Sequence, residues 1–168
     1  MKKKLALLLA VAVMIAMTAT PVFAESLTVE TGTAVTWSDS VDGTFQNTMT
    51  VVRNPVWANA GLETTPWVWV NTGASTPGIF YFQQTFNIPA TAYNITANIV
   101  ANCDNAFQLS INGAWVLGDS GSMELMGPDT RDYLTINTLA TVNGIVPGTN
   151  RITVHAVNYY TYGNPGGL

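Results

Sequence analysis

Four carboxylate side chains fall within fourteen consecutive residues, and a cluster of this kind can hold a metal ion or perform acid–base chemistry. They are Asp119, Glu124, Asp129 and Asp132. Ca²⁺ takes about six to eight oxygen ligands, and one interpretation of the loop at 119–132 is therefore a structural calcium site. The spacing differs from that of an EF-hand loop, and a solvated acidic loop without bound metal is the more conservative interpretation.

Hydrolytic chemistry has little support in the same residues. A glycosidase needs two carboxyl groups held apart in a cleft, and no feature of the sequence predicts such a cleft. His155 is the only histidine, and no G-x-S-x-G motif is present. Cys103, the only cysteine, is in phase with Ile99 and Ala101 and is expected to be buried rather than reactive. We therefore expect a protein that is not an enzyme.

Aromatic side chains supply a different chemistry, because the flat apolar face of a sugar ring stacks on them while polar neighbours bind its hydroxyl groups. The chain has five tryptophans. Trp57 lies in an irregular stretch beside Asn59 and Glu63, where an exposed position is expected. Trp67 and Trp69 are two residues apart and share one strand face, so we expect both to pack into the core.

Three tyrosines form a second aromatic group close to Gly163 and Asn164. Two of them are adjacent in sequence, so at least one of that pair must face outward from a strand. The predicted carbohydrate-binding residues are therefore Trp57, Asn59, Glu63, Tyr159, Tyr160 and Tyr162.

The first 24 residues predict a cleaved, helical secretory signal peptide. Lys2, Lys3 and Lys4 precede an apolar run at 5–17, and Val22-Phe23-Ala24 resembles a signal-peptidase site. The apolar run is shorter than the ~20 residues that a transmembrane helix needs, so no membrane insertion is expected after cleavage. We expect a secreted protein that is extracellular or associated with the cell surface.

Cleavage after Ala24 leaves residues 25–168, and these 144 residues suffice for a single domain with a sizeable core. The three lysines leave with the signal, so three arginines face ten acidic residues and the formal charge is −7. Nucleic acid is not an expected partner, because phosphate contacts need clustered Lys and Arg. A single cysteine allows no disulfide within the chain, so the core must supply the stability.

The elements that must position these side chains are β-strands. Residues 93–103 and 107–111 alternate between apolar and polar side chains, which is typical of strands with one buried and one solvated face. Asn112-Gly113 then predicts a tight hairpin into a strand at 115–117, since both residues tolerate positive φ. Long strands are predicted at 79–88, where Gln84 interrupts the apolar face, and at 151–160.

Turn signals separate about eight or nine predicted strands, and no helical periodicity of useful length follows residue 24. This pattern predicts the all-β class and an antiparallel β-sandwich of the jelly-roll type. Residues 160–168 have the composition of a loop. The domain could therefore lack its final strand, or end in a free tail; a missing strand would leave a sheet edge able to pair with another chain.

Four short motifs resemble those of the galactose-binding-like jelly-roll domains. An aromatic-rich strand ends in Phe86-Asn87-Ile88-Pro89, and a D-x7-N-G strand and turn spans Asp104 to Gly113. A G-x-N turn at Gly148–Asn150 leads into the last long strand, and Pro165-Gly166-Gly167-Leu168 matches a closing P-x-G-L pattern. The resemblance covers roughly residues 66–168.

The resemblance implies a jelly-roll fold of the kind found beside bacterial and archaeal surface proteins and glycoside hydrolases. In that family the chain continues past the closing segment into a final strand, which this sequence lacks. The shared residues are ones that turns require, so the resemblance predicts a fold, and the ligand must be argued from other positions.

Three functions remain open at this point. The first is a secreted, non-catalytic module that recognises a carbohydrate or a cell-surface polymer. The alternative is a structural or adhesive surface subunit that self-associates through its sheet edges. The third is an accessory domain of a glycoside hydrolase.

Overall fold

A computed structural model describes residues 26–32, 34–51, 62, 64–70, 77–118, 137–139, 142, 144–159 and 167–168. This part of the chain contains ten strands and no helix. The strands are β1 (Thr36–Ser38), β2 (Gln46–Asn47), β3 (Met49–Val51), β4 (Trp67–Trp69), β5 (Gly78–Ile88), β6 (Ile99–Ala101), β7 (Ala106–Ile111), β8 (Ala114–Gly118), β9 (Asn137–Leu139) and β10 (Gly148–Asn158).

Six of the strands form one antiparallel sheet in the order β2-β1-β5-β10-β7-β8. Two antiparallel pairs, β3-β4 and β6-β9, complete the described strands. The predicted all-β class with antiparallel pairing is confirmed. The jelly-roll arrangement and the signal peptide at 1–24 stay predictions, and residues 1–25 lie outside the described part of the chain.

The centre of the large sheet is the pair formed by β5 and β10, which match over the full eleven residues of each strand. β7 pairs with the other side of β10. Residues opposite one another across neighbouring strands point to the same face, so Phe82, Val154 and Leu109 form one row on the inner face. All three are buried, as the alternation of apolar residues predicts.

The hairpin between β7 and β8 follows the predicted turn. Asn112 has φ of 51° and Gly113 has φ of 83°, the positive values that a two-residue hairpin turn of this type requires. Phe107, Leu109 and Ile111 are buried on the inner face of β7, which confirms the predicted phase of this strand. The register shifts between Leu109 and Ser110, so β8 carries one extra residue opposite β7.

The β3-β4 pair contributes the largest side chains of the core. Trp67 is 5 % exposed and Trp69 is 0 % exposed, which confirms that both pack inside. The Trp69 ring lies 5.4 Å from that of Phe80, edge to face, and 5.3 Å from that of Phe82. Because Phe80 and Phe82 lie on β5, these contacts join the small pair to the inner face of the large sheet.

The predicted strand at 93–103 is only partly correct. The burial of side chains alternates, with Ile95, Ala97 and Ile99 more protected than their neighbours, but only 99–101 pairs as a strand. A buried stripe needs only a surface to pack on, whereas a strand also needs a partner for its backbone, and β9 supplies one for three residues. Cys103 is fully buried, as predicted, and its thiol contacts the carbonyl of Ala106.

The last two residues are held by backbone hydrogen bonds. Leu168 exchanges two of them with Val68, at 3.1 and 2.9 Å, and the amide of Asp104 donates to the carbonyl of Gly167. Leu168 is 9 % exposed and belongs to the core. A free tail is therefore wrong for Gly167 and Leu168.

Two asparagines, Asn112 and Asn150, connect the N-G turn to the G-x-N turn. Asn150 is fully buried; its amide nitrogen donates to the carbonyls of Val146 and Gly148, and its oxygen accepts from the Val146 amide. The same oxygen accepts from Asn112 Nδ2 at 2.9 Å, and Asn112 Oδ1 accepts from the amide of Arg151. The N-G turn and the G-x-N turn are therefore bonded to each other.

Candidate functional site

Most of the predicted ligand and metal positions lie outside the described residues. The predicted carbohydrate-binding residues outside the described ranges are Trp57, Asn59, Glu63, Tyr160 and Tyr162. The predicted calcium ligands outside them are Asp119, Glu124, Asp129 and Asp132. Carbohydrate binding by the first set and calcium binding by the second set stay predictions. Within the described ranges, no group of three or more His, Cys, Asp or Glu side chains is placed to hold a metal ion.

Tyr159 is the one predicted binding residue that the structure describes, and its position argues against that role. Its side chain is 7 % exposed and packs with Ala106, Val157 and Ile79 in a small apolar cluster. Its backbone amide donates to Asn105 Oδ1 at 2.9 Å. A ring enclosed in this way cannot stack on a sugar, so Tyr159 is corrected to a core residue.

The outer face of the large sheet carries a row of side chains, one from each strand. Cross-strand pairing places all of them on one line, which we call the outer row. It consists of Trp115, Ser110, Thr153, Gln83, Thr36 and Asn47. At a strand spacing of about 4.8 Å the row is about 24 Å long, which is enough for several sugar rings.

One end of the outer row is a large aromatic side chain exposed to solvent. Trp115 on the edge strand β8 is 59 % exposed. The remaining members are uncharged hydroxyl and amide side chains, which can donate and accept hydrogen bonds. Ser110 Oγ donates to the Thr153 carbonyl at 3.3 Å, and Thr36 Oγ1 donates to the Gln83 carbonyl at 3.4 Å. These bonds hold two of the hydroxyl groups in place on the face.

Beside the middle of the outer row, Tyr81 and His155 stack on each other. They are opposite one another on β5 and β10, with ring centroids 4.6 Å apart and ring planes 7° from parallel. Burial lowers the pKa of His155 below its ordinary value of 6.5, because the charged imidazolium loses solvation there. His155 Nε2 is buried without a hydrogen-bond partner in the part of the chain described.

The lowered pKa of His155 predicts a loss of stability on mild acidification. The unfolded chain takes up a proton as the pH falls through about 6.5, whereas the folded chain resists it, so the free energy of unfolding decreases below that pH. The decrease stops once the pH is below the folded pKa. We expect urea unfolding to show this difference between about pH 7.5 and 5.5. His155→Phe keeps a ring against Tyr81 and should abolish the difference; an equal pH dependence in this variant would contradict the assignment.

The exposed position of Trp115 is predictable from the sequence, although a search for aromatic residues in irregular stretches does not find it. A two-residue turn at Asn112-Gly113 makes Ile111 and Ala114 opposite each other, so Ser110 must face Trp115. Ser110 lies on the polar side of β7. Counting across the turn therefore places Trp115 on the solvated face.

Comparison of the chain with protein-family models, with curated proteins and with solved structures finds no match. The resemblance to galactose-binding-like domains therefore stays a prediction. A search of the described residues for a helix long and apolar enough to cross a bilayer finds none.

Proposed function

We propose that this protein is a non-catalytic, exported module that binds an uncharged polysaccharide along the outer row. The observation that carries the proposal is Trp115, a largely exposed aromatic ring aligned with hydroxyl and amide groups on the outer face of the sheet. An aromatic ring offers a sugar its apolar face, and the polar neighbours bind the hydroxyl groups.

Charge favours a neutral polymer over an acidic one. The outer row has no charged member, and residues 25–168, which the exported protein would keep, have a formal net charge of −7. A polymer with many carboxylate or sulfate groups would be repelled by this net charge, although Arg151 is exposed on the same face. The charges therefore favour a neutral glycan as the ligand.

Replacing Trp115 by Ala is expected to weaken binding of a neutral polysaccharide by about tenfold or more, because the stacking surface is lost. Trp115→Phe should have an intermediate effect. Binding is measured by a glycan array followed by isothermal titration with the best ligand. Tyr93→Ala is the matched control, because Tyr93 is also aromatic and 59 % exposed but lies outside the outer row. Unchanged affinity in Trp115→Ala would reject the outer row as the binding site.

A structural or adhesive subunit is the second candidate, and the position of β8 favours it. β8 is at one edge of the large sheet and carries the exposed Trp115, so its outer backbone edge could pair with a second chain. Light scattering over a concentration series separates the two functions. A monomer at all concentrations removes the adhesive alternative, whereas a dimer that Trp115→Ala dissociates would support it.

A further inference from the structure

A cavity of about 1350 Å³, open to solvent, lies mainly on the inner side of the large sheet, and it extends around β5 to the outward-facing Gln83 and Asn87. Residues 26–31 and 91–102 line it together with the sheet. The sheet wall is mostly apolar: the half-buried Phe86 and Ile152 lie beside the core residues Phe82, Leu109 and Val154, which expose little surface to it. Sites for small molecules usually measure about 300–1000 Å³, so this space is large enough for a lipid-sized ligand.

The lining carries almost no charge. Glu30 is the only charged side chain among the described lining residues, and no lysine, arginine or histidine occurs there. A ligand with a carboxylate or phosphate group would have to lose its hydration without gaining a cation from these residues. The cavity therefore favours an uncharged ligand.

Gln84 provides the one amide on the inward-facing side of β5, whereas the other amides of the lining come from the outward-facing side of that strand or from residues 94–102. It is on the inward-facing positions of β5, between Phe82 and Phe86, and opposite Ile152 of β10. This is the position that interrupts the apolar face in the sequence. A glutamine can both donate and accept, so one amide here can bind a hydroxyl or carbonyl group and orient the ligand.

The cavity has an opening to solvent. Leu27 and Val100 both line it, yet they are 55 % and 40 % exposed. Apolar side chains that are exposed at the rim of an apolar cavity offer an entry path for a hydrophobic molecule.

We propose that this cavity binds a neutral, mainly apolar small molecule of the lipid alcohol or ester class, whose one polar group is bound by Gln84. The proposal can be tested separately from polysaccharide binding, because Trp115, on which that binding depends, does not line the cavity.

The first test uses the unmodified protein and the neutral fluorescent probe N-phenyl-1-naphthylamine. We expect probe fluorescence to rise on binding and to be displaced by dodecan-1-ol. Dodecanoate at about pH 8, where the carboxyl group is ionised, should require at least about tenfold higher concentration. No fluorescence response, or equal displacement by the acid and the alcohol, would overturn the proposal.

The second test uses variants of the lining. Gln84→Leu should weaken dodecan-1-ol binding about fivefold, the effect of one lost hydrogen bond, and leave probe binding unchanged. Thr85→Val is the matched control, because it also removes a polar group from β5 but on the opposite, exposed face, and neither ligand should be affected.

Ala97→Trp adds bulk to the lining opposite the sheet and should reduce probe binding more than about tenfold. Because this variant could disturb folding, its fold is checked by circular dichroism. If it does not fold, the alcohol–acid comparison and the Gln84→Leu variant still decide the proposal. Undiminished probe binding by a folded Ala97→Trp protein would show that the ligand lies elsewhere. Undiminished alcohol binding by Gln84→Leu would show that Gln84 does not bind the hydroxyl group, and it would overturn the proposal in that form.

Discussion

Trp69→Ala is expected to lower the free energy of unfolding by about 3–5 kcal/mol, the cost usually found when a large aromatic side chain is removed from a core. Trp69 is 0 % exposed and contacts two phenylalanine rings of β5. Its loss would leave a cavity between the β3-β4 pair and the large sheet. A small domain has only about 5–15 kcal/mol of stability, so this variant should be close to unfolding.

Trp69→Phe is the matched variant, and it should cost clearly less than Trp69→Ala, because one aromatic ring stays against Phe80 and Phe82 and the cavity is smaller. The indole nitrogen of Trp69 is buried without a hydrogen-bond partner in the described part of the chain. Phenylalanine removes this unsatisfied donor, which offsets part of the lost packing.

Urea unfolding followed by circular dichroism measures both variants, with an unchanged m-value as the check that the same surface unfolds. If Trp69→Ala and Trp69→Phe were equally stable, Trp69 would not be the packing centre that joins the small pair to the large sheet.

Asn150→Ala is expected to lower the free energy of unfolding by about 2–4 kcal/mol, although it removes few atoms. The Asn150 amide makes four hydrogen bonds, to Val146 N and O, to Gly148 O and to Asn112 Nδ2. Alanine leaves these groups without their partner, and each buried group left unsatisfied costs about 1–3 kcal/mol.

Asn150→Asp is informative because a carboxylate has the same shape but cannot donate. It would still accept from the Val146 amide and from Asn112 Nδ2, but it would face the carbonyls of Val146 and Gly148 as an unfavourable charge. We therefore expect it to be no more stable than Asn150→Ala.

Asn87→Ala is the control for both variants of Asn150. Asn87 is exposed and accepts one side-chain hydrogen bond, from Thr149 Oγ1 at 2.7 Å, so its loss should cost less than about 0.5 kcal/mol. Thermal and urea unfolding measure the three proteins. A stable Asn150→Asp protein would mean that the two donated bonds contribute little.

The parts of the fold that local chemistry controls are predictable from the sequence. The Asn112-Gly113 hairpin, the inward phase of Phe107, Leu109 and Ile111, and the burial of Cys103 all follow from turn preferences and from alternation. Each of these features depends on residues that are close together along the chain.

Features that depend on distant residues are not predictable in this way. Asn112 and Asn150 each lie in a sequence that is typical of an ordinary turn. Only the pairing of β7 with β10 brings the two residues into contact. The same limit explains the strand at 93–103: alternation gives the buried side, but the available partner ends the ladder at 99–101.

The candidate site is partly predictable for the same reason. The phase of Trp115 can be counted from the hairpin turn, because the turn fixes the register over its first residues. The alignment of Gln83 and Thr36 with Trp115 requires the order of strands in the sheet, which alternation alone does not give. Tyr159 shows the opposite error, since an aromatic residue next to a loop can be enclosed by its neighbours.

The pairing of β5 with β10 also constrains how the chain acquires its structure. The paired residues are 60 to 80 positions apart, from Ile88 with Gly148 to Gly78 with Asn158. A ribosome releases the amino end first, so the middle of the sheet cannot assemble until synthesis has passed residue 158. Such late, non-local assembly is typical of all-β proteins that fold in milliseconds to seconds. During that delay the apolar side of β5 stays uncovered, and a chaperone that shields it would raise the yield of native protein.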